Sequence, residues 1–458
     1  MKRMVGTVLG LWLGQLVSGP AQAAVSKRCD PCNVLWIVVD TTRADRIDSE
    51  LTPNIMRLAS RGTRYQHAYS QAPATMLSVS SYMSGRYRRS TGQDFSISKK
   101  QADTYHTLSP ELTTVAEVLK GAGYRVDGFN ANPVISSASS VGFDLGLYQG
   151  FDTWVQGDDQ QVVDWGADAL EKLRDGGEPF LLYLHLFGPH SPNDQLDGFE
   201  SRRGVHEQSI GEGVFSTLYG QINRGEQEVD EADIAYIRAL YDDALWVADR
   251  QVGQVLDRLA ELGMNESTLV ILTSDHGEAL GDFHDPHPRF GHSKALIDSM
   301  LHVPLILAGP GIRRGVVVRN QVAELVDLAP TIADYLDIPV QAQWRWDGSP
   351  LVGSQASPGS TAISDRGGEL FMQTGIRDRE RAVRYSAKQD QWAYYSLDPE
   401  PKEEAGHVLG SPTAEHQQLQ AVLQHYMDTA VPPGTQGEEL ATPEGDELEA
   451  LQALGYME

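Results

Sequence analysis

Four short, almost wholly apolar runs decide what this chain can become. VLWIVVD (34–40), PFLLYLHLF (179–187), TLVILTSD (268–275) and VPLILAG (303–309) do not alternate apolar with polar residues, so each reads as a strand covered on both faces. Between them, ELTTVAEVLKGAG, QVVDWGADALEKLRDGG and DIAYIRALYDDALWVADRQVGQVLDRLAELG repeat apolar residues at helical spacing, and each ends in glycine. Doubly buried strands alternating with amphipathic helices predict an α/β protein, a large and mostly parallel sheet sandwiched by helices.

The pattern changes near Pro350. LFMQTGI, AVRYSAK and QWAYYSL read as short antiparallel strands and AEHQQLQAVLQHYMD as a helix. The expectation is an α/β domain over residues 24–350 and a small C-terminal α+β domain over 351–458. From Glu403 onward there is no Lys or Arg against eleven Asp or Glu, which predicts a solvated acidic tail whose apolar LEALQALGYM end can dock back on the body.

The first residues read as an export signal over 1–23. Lys2 and Arg3 precede an apolar run from Val5 to Val17, and Ala21 and Ala23 give a small-x-small cleavage site. That run is shorter than the about 20 residues of a spanning helix, so the mature chain is expected to lack a transmembrane segment and to be periplasmic or secreted. The formal net charge is −26, and without Lys2 and Arg3 it becomes −28, which argues against nucleic acid or an anionic membrane as partner. The only cysteines, Cys29 and Cys32, are expected to form a local disulfide in such a compartment.

Ligands of a parallel sheet bind outside the carboxyl ends of its strands. Asp40 ends the first run and Asp275 with His276 ends the third, so both acids reach one edge. In QAPATMLSVSSYMSG (71–85), Thr75 marks a helix entry. It can cap the helix, or supply a hydroxyl to the same edge, and the two roles are compatible. Two carboxylates, one imidazole and one hydroxyl suit Mn or Zn better than Ca. A metal and a helix N-terminus would both favour the Thr75 alkoxide. His185, inside LLYLHLF, reads as a satisfied core histidine, and Arg43 as an anchor of the loop behind Asp40.

Taken in order, NVLWIVVDTTRADR, APATMLSVSSYMSGRY, LYLHLFGPHSP, VILTSDHGEALGD, GHSKALIDSMLHVPLILAGPG, VDLAPTIADYLDIP and YYSLDPEPKEE resemble the sulfatase family of the alkaline phosphatase superfamily. The resemblance implies a nucleophile that takes the sulfuryl or phosphoryl group covalently. It puts Asp40, Asp275 and His276 on the metal, Thr75 at the nucleophile, His190 in the substrate pocket, and His292 and Lys294 where the family supplies a basic group to the ester or leaving oxygen.

The departures from the family pattern shape the expected chemistry. Typical sulfatases carry Cys or Ser in C/S-x-P-x-R and oxidise it to formylglycine; the matching stretch here is Thr75-Met76-Leu77-Ser78-Val79. Oxidation of a threonine would give a ketone, so no formylglycine is expected. Thr41 stands where many sulfatases have a second Asp, and Ala131 and Pro133 where they have Lys and His, leaving Asn132 as a hydrogen-bond donor to substrate. The sequence therefore predicts an exported, metal-dependent hydrolase or transferase acting on an anionic ester of a glycan, lipid or small molecule, phosphoryl favoured over sulfuryl. The alternative is a catalytically silent relative that binds an anionic glycan or a partner.

Overall fold

In the computed structural model, which describes residues 29–93, 95–96, 104–137, 144–190, 215–284, 288–293, 295–357, 359–366, 373–397, 408–434 and 439–440, all four apolar runs enter one eight-stranded sheet. Its strands are β1 (Asn33–Val39), β2 (Gly62–Tyr65), β3 (Arg125–Asn130), β4 (Thr153–Gln156), β5 (Phe180–Leu186), β6 (Thr268–Thr273), β7 (Leu305–Ala308) and β8 (Val316–Val318), in the order β8-β2-β7-β6-β1-β5-β3-β4. Seven strands run parallel, and β7 is reversed between β2 and β6. The reversal follows from the connection. Between β6 and β7 the described chain contains a hairpin and a single helical turn, not the long crossover helix a parallel return requires.

Both faces of the sheet are covered. The helices are α1 (Pro53–Ser60), α2 (Thr75–Ser84), α3 (Val115–Gly121), α4 (Asp159–Gly176), α5 (Glu231–Glu261) and α6 (Leu328–Tyr335). Along β1, Val34, Trp36 and Val38 point into the core made with α2, α3 and α6, while Leu35, Ile37 and Val39 point into the core made with α1, α4 and α5. Successive side chains of a strand face opposite ways, so a strand with a core on each side is apolar on both faces, and a polar residue there needs a partner of its own.

Helix ends show how the layers are locked. Asp158 and Asp230 close capping boxes on α4 and α5, and Gly177 at φ 73° ends α4 in the left-handed region. Helix α1 has no side-chain cap of its own. Instead Asp249, fully buried on α5, accepts hydrogen bonds from the backbone N–H groups of Asn54 (3.1 Å) and Ile55 (2.8 Å).

The second sheet is an antiparallel meander of β9 (Ala362–Arg366), β10 (Gln373–Arg377), β11 (Arg381–Ser386) and β12 (Gln391–Ser396). Helix α7 (Ala414–Thr429) packs Leu419, Leu423 and Tyr426 on Ile363, Ile376 and Val383. β9 grips the chain ahead of α2: Asp365 N–H donates to Gln71 O (2.8 Å) and Ser364 Oγ to Ser70 O (2.6 Å). At the same junction Glu324 Oε1 accepts from Ile363 N–H (2.8 Å) and Gln71 Nε2 (3.2 Å), and Oε2 from the Tyr87 hydroxyl (2.8 Å). Cys29 and Cys32 are joined as a disulfide ahead of β1. The export segment 1–23 and the chain after Leu440 lie outside the described residues, among which no helix is long and apolar enough to cross a membrane.

Two predictions follow from these contacts. Asp249→Ala leaves the buried Ile55 N–H and the half-buried Asn54 N–H without their acceptor, so urea unfolding should show a loss of about 1–3 kcal/mol for the buried group and less for the other. Burial, with the neighbouring Asp327 charge, pushes the Glu324 carboxyl well above its usual range, and burial lifts Asp327 to about 7. Folded pKa values above the unfolded ones mean that folding takes up a proton. This contribution to stability is full below about pH 4 and is lost as pH rises through about 7. Glu324→Gln should flatten the fall in unfolding free energy over that window.

Candidate active site

β1 and β6 pair side by side in parallel, with Val38 opposite Thr273, so the residues after them emerge at one edge. There Asp40, Asp275 and His276 bring one ligand atom each to within 4.8 Å of one another, and all three are fully buried. Thr75 reaches the same place from α2, its Oγ1 3.2 Å from His276 Nε2. Ser78 fixes that helix here: its Oγ donates to Asp275 O (2.6 Å) and accepts from Ser70 Oγ (2.9 Å), ahead of the helix.

Thr75 is not the helix cap. The cap position is Ala74, without a side-chain hydrogen bond, and Thr75 is the first helical residue. Its hydroxyl instead faces His276 and the Asn132 amide (3.3 Å). A stability loss through a missing cap is therefore not expected for Thr75→Ala.

The donor set fits a divalent cation. His276 Nδ1 lies 2.9 Å from Gly277 O; a carbonyl only accepts, so Nδ1 carries the proton and Nε2 presents its lone pair. Asp40 Oδ1 and Asp275 Oδ2 are buried without hydrogen-bond partners, and among the described residues neither acid pairs with Lys or Arg. Burial and the Asp275 charge push the Asp40 carboxyl well above its usual range. For Asp275, burial acts upward too, but His276, His185 and the Thr75 hydroxyl outweigh it and hold that carboxyl below its usual range. Two close carboxylates with orphaned oxygens and an imidazole lone pair are what a metal requires. Thr41, where a further acid was absent from the sequence, sits at φ 51°, strained for a β-branched residue, with its buried hydroxyl unpartnered.

Around this core the histidines gather. His292 Nδ1 is 3.2 Å from Glu278 Oε2, its ring centroid 4.5 Å from that of His276 and 4.9 Å from that of His190. His190 stacks on Phe187 at 4.3 Å. Their loop is held by Asp159 at the start of α4, which accepts from Phe187 N–H (2.5 Å) and Gly188 N–H (2.9 Å). Ser293 N–H donates to Pro73 O (2.7 Å) and Arg366 Nε to Ser293 O (2.6 Å), so β9 also supports the His292 segment. Lys294 lies outside the described residues.

The structure adds to the reading of three residues. The Asn132 amide donates to Asp40 Oδ2 (2.6 Å) and to Thr75 Oγ1 (3.3 Å), so it serves the site's own residues rather than standing open to substrate. His185 is the satisfied, buried histidine that was expected, and one of its partners is a site residue: its Nε2 is 3.1 Å from Asp40 Oδ2 and its Nδ1 2.8 Å from the Tyr183 hydroxyl. Nothing in DHGEALGD marks Glu278 as a site residue; only folding brings His292 beside it. Arg43 does anchor the loop behind Asp40, through Asp45 and Asp282. A cavity of about 660 Å³ lined by Arg125, Phe129, Val155, Trp165 and Leu173 contains none of these site residues.

Residues 32–338 match a family model described as Sulfatase. Bovine arylsulfatase K (Bos taurus) is 26% identical over 373 residues, 70% of this chain and 66% of that protein, just under two thirds of its length. The low-salt glycan biosynthesis sulfotransferase of Haloferax volcanii is 32% identical over 164 residues, 36% of this chain and 35% of that protein. Among solved structures, a protein in complex with its substrate D-glucosamine-2-N,6-O-disulfate superposes with a TM-score of 0.66 at 17% identity, over 87% of this chain and 99% of the other. The phosphonate monoester hydrolase of Silicibacter pomeroyi does so with 0.63 at 19%, over 87% and 95%. At such identities the superpositions bear on the fold alone.

Proposed function

The chain belongs to the sulfatase family, and on that premise we propose that it is an exported, metal-dependent hydrolase or transferase that cleaves an anionic ester through a covalent Thr75 intermediate, phosphoryl in preference to sulfuryl. The observation that carries the reading is the convergence of Asp40, Asp275 and His276 within 4.8 Å, with the Thr75 hydroxyl 3.2 Å from His276 Nε2. On this reading residues 1–23 are the export signal, 24–350 the catalytic domain and 351–458 a supporting C-terminal domain.

Asp40, Asp275, His276 and Thr75 would hold one divalent ion, Mn or Zn before Ca. When bound, it would favour the deprotonated hydroxyl and neutralise charge on the transferred group. Thr75, first in α2, also has the helix N-terminus behind its oxygen, which favours the alkoxide. Its Oγ1 attacks in line, the new bond to phosphorus or sulfur forms, and the ester oxygen departs. With Nδ1 against Glu278, His292 exchanges protons at Nε2: it protonates the departing alcohol, then takes a proton from the water or second alcohol that resolves the threonyl ester. His190 would assist on the substrate side of this step, and the family resemblance gives Lys294 a part in the same role. The sulfotransferase relative makes transfer to a second alcohol as natural an outcome as hydrolysis.

Phosphoryl preference rests on charge and on bond chemistry. Val79, Ala131 and Pro133 supply none of the cations expected around a sulfate. A threonyl ester has no aldehyde to collapse to, so release needs a second attack. Monoanionic phosphodiesters or phosphonate monoesters bring less charge into such a pocket than a phosphate monoester does.

The test is kcat/KM on matched aryl sulfate, phosphate monoester, phosphodiester and phosphonate monoester substrates, with Mn or Zn. The diester or phosphonate should lead. A tenfold preference for sulfate, about 1.4 kcal/mol of transition-state binding, reverses the phosphoryl assignment. Thr75→Ala should abolish turnover and Thr75→Ser retain part of it; wild-type rates in folded Thr75→Ala overturn the nucleophile. Separately, Asp275→Asn should weaken metal binding, with activity recovering in excess Mn or Zn. Unchanged metal affinity removes Asp275 from the ligand set.

A further inference from the structure

A histidine within an apolar central strand needs an explanation. Strand β5 lies beside β1, with His185 opposite Val38, and the side chain is fully buried. Phenylalanine would fill the space without the desolvation cost of an imidazole. Yet both ring nitrogens are engaged: Nε2 lies 3.1 Å from Asp40 Oδ2, and Nδ1 2.8 Å from the Tyr183 hydroxyl, which is 2.7 Å from the Tyr82 hydroxyl. All four residues are buried.

The direction of this chain follows from which atoms can donate. An ionised Asp40 only accepts, so His185 Nε2 carries the proton and Nδ1 accepts from Tyr183; Tyr183 oxygen in turn accepts from Tyr82. Asp40 Oδ2 thus has two donors, His185 and the Asn132 amide at 2.6 Å, whereas Oδ1 has none. Carboxylate rotation about its last bond is broad, and two donors on one oxygen fix it. Tyr82 belongs to α2, the helix that Thr75 begins, so the nucleophile's helix and the carboxylate's orientation are tied together through β5.

We propose that His185, held by Tyr183 and Tyr82, is a positioning residue that turns Asp40 so that Oδ1 is presented to the metal. This rests on the reading that Asp40 is a metal ligand. The chain acts as an outer shell: it makes no contact with substrate and sets the affinity of the ion through Asp40's geometry.

The experiment measures Mn²⁺ affinity by calorimetry on metal-stripped full-length protein, with the metal-free thermal midpoint recorded beside it. Wild type should bind Mn²⁺ stoichiometrically; if it does not, the metal reading fails and this proposal with it. His185→Phe, which keeps the ring and removes the donor, should weaken Kd by about 10–100-fold. His185→Gln, which keeps a donor in reach of Oδ2, should recover most of that loss, a rescue that a space-filling role would not produce. Tyr183→Phe should weaken Kd several-fold with His185 intact. Folded His185→Phe with Kd within twofold of a metal-binding wild type overturns the proposal and leaves the metal reading standing. Should His185→Phe not fold, Tyr183→Phe carries the same criterion.

Discussion

Everything at this site depends on two carboxylates brought together where water is excluded. Parallel pairing of β1 with β6 forces Asp40 and Asp275 to the same edge, and like charges at that separation in a buried setting repel strongly. The surrounding chain is fixed against that repulsion. Tyr241 on α5 donates to Thr41 O (2.8 Å) and accepts from Arg43 N–H (3.0 Å), Ser274 Oγ accepts from Thr42 N–H (2.8 Å), and Ser78 holds Asp275 O (2.6 Å). Thr41 is held at φ 51° in the middle of this loop, a conformation that persists only because its neighbours over-determine it.

Much of this fold was legible in sequence because it is written in periods. The runs that became β1, β5 and β6 are almost wholly apolar, without the alternation of a strand that has one face in water, and a strand between two cores needs that. The direction of β7 was not legible, since the pattern of a buried strand is the same up or down and the connection alone decides. β9 escaped notice for a related reason: AISDR packs Ala362 and Ile363 inward but also buries Asp365, satisfied by the Tyr426 hydroxyl at 2.7 Å, and a buried acid with a distant partner breaks the local pattern.

The site shows the same division. Asp40, Asp275 and His276 sit at strand ends, where a one-dimensional rule points. His185 sits one residue inside a strand end, in a run whose apolar character argues for a core role, and its partners are Asp40, far away in sequence, and Tyr183, itself bonded to Tyr82. Asn132 offers a donor in any reading, but only the fold reveals that its amide is directed at Asp40 and Thr75. Thr75 looks like a cap in sequence because threonine before an apolar run usually is one; one residue of register, with Ala74 at the cap, turns its hydroxyl toward His276.

The chain's net charge of −26 repels the anionic ester that the proposed chemistry requires, so attraction has to be local. Arg43, behind Asp40, does not provide it, because Asp45 and Asp282 hold its guanidinium. Arg366 is turned to Ser293 O. Apart from its carboxylates, the described side chains that reach the site are imidazoles, an amide and hydroxyls, which orient an anion more than they neutralise it. On the proposed reading the positive charge is concentrated in one divalent ion, and the weight of the mechanism falls on how well its ligands are aimed. That is why a buried hydrogen-bond chain behind Asp40 bears on the chemistry as much as the groups in front of it. With few cations to share the load, a misdirected carboxylate has no neighbour to compensate for it.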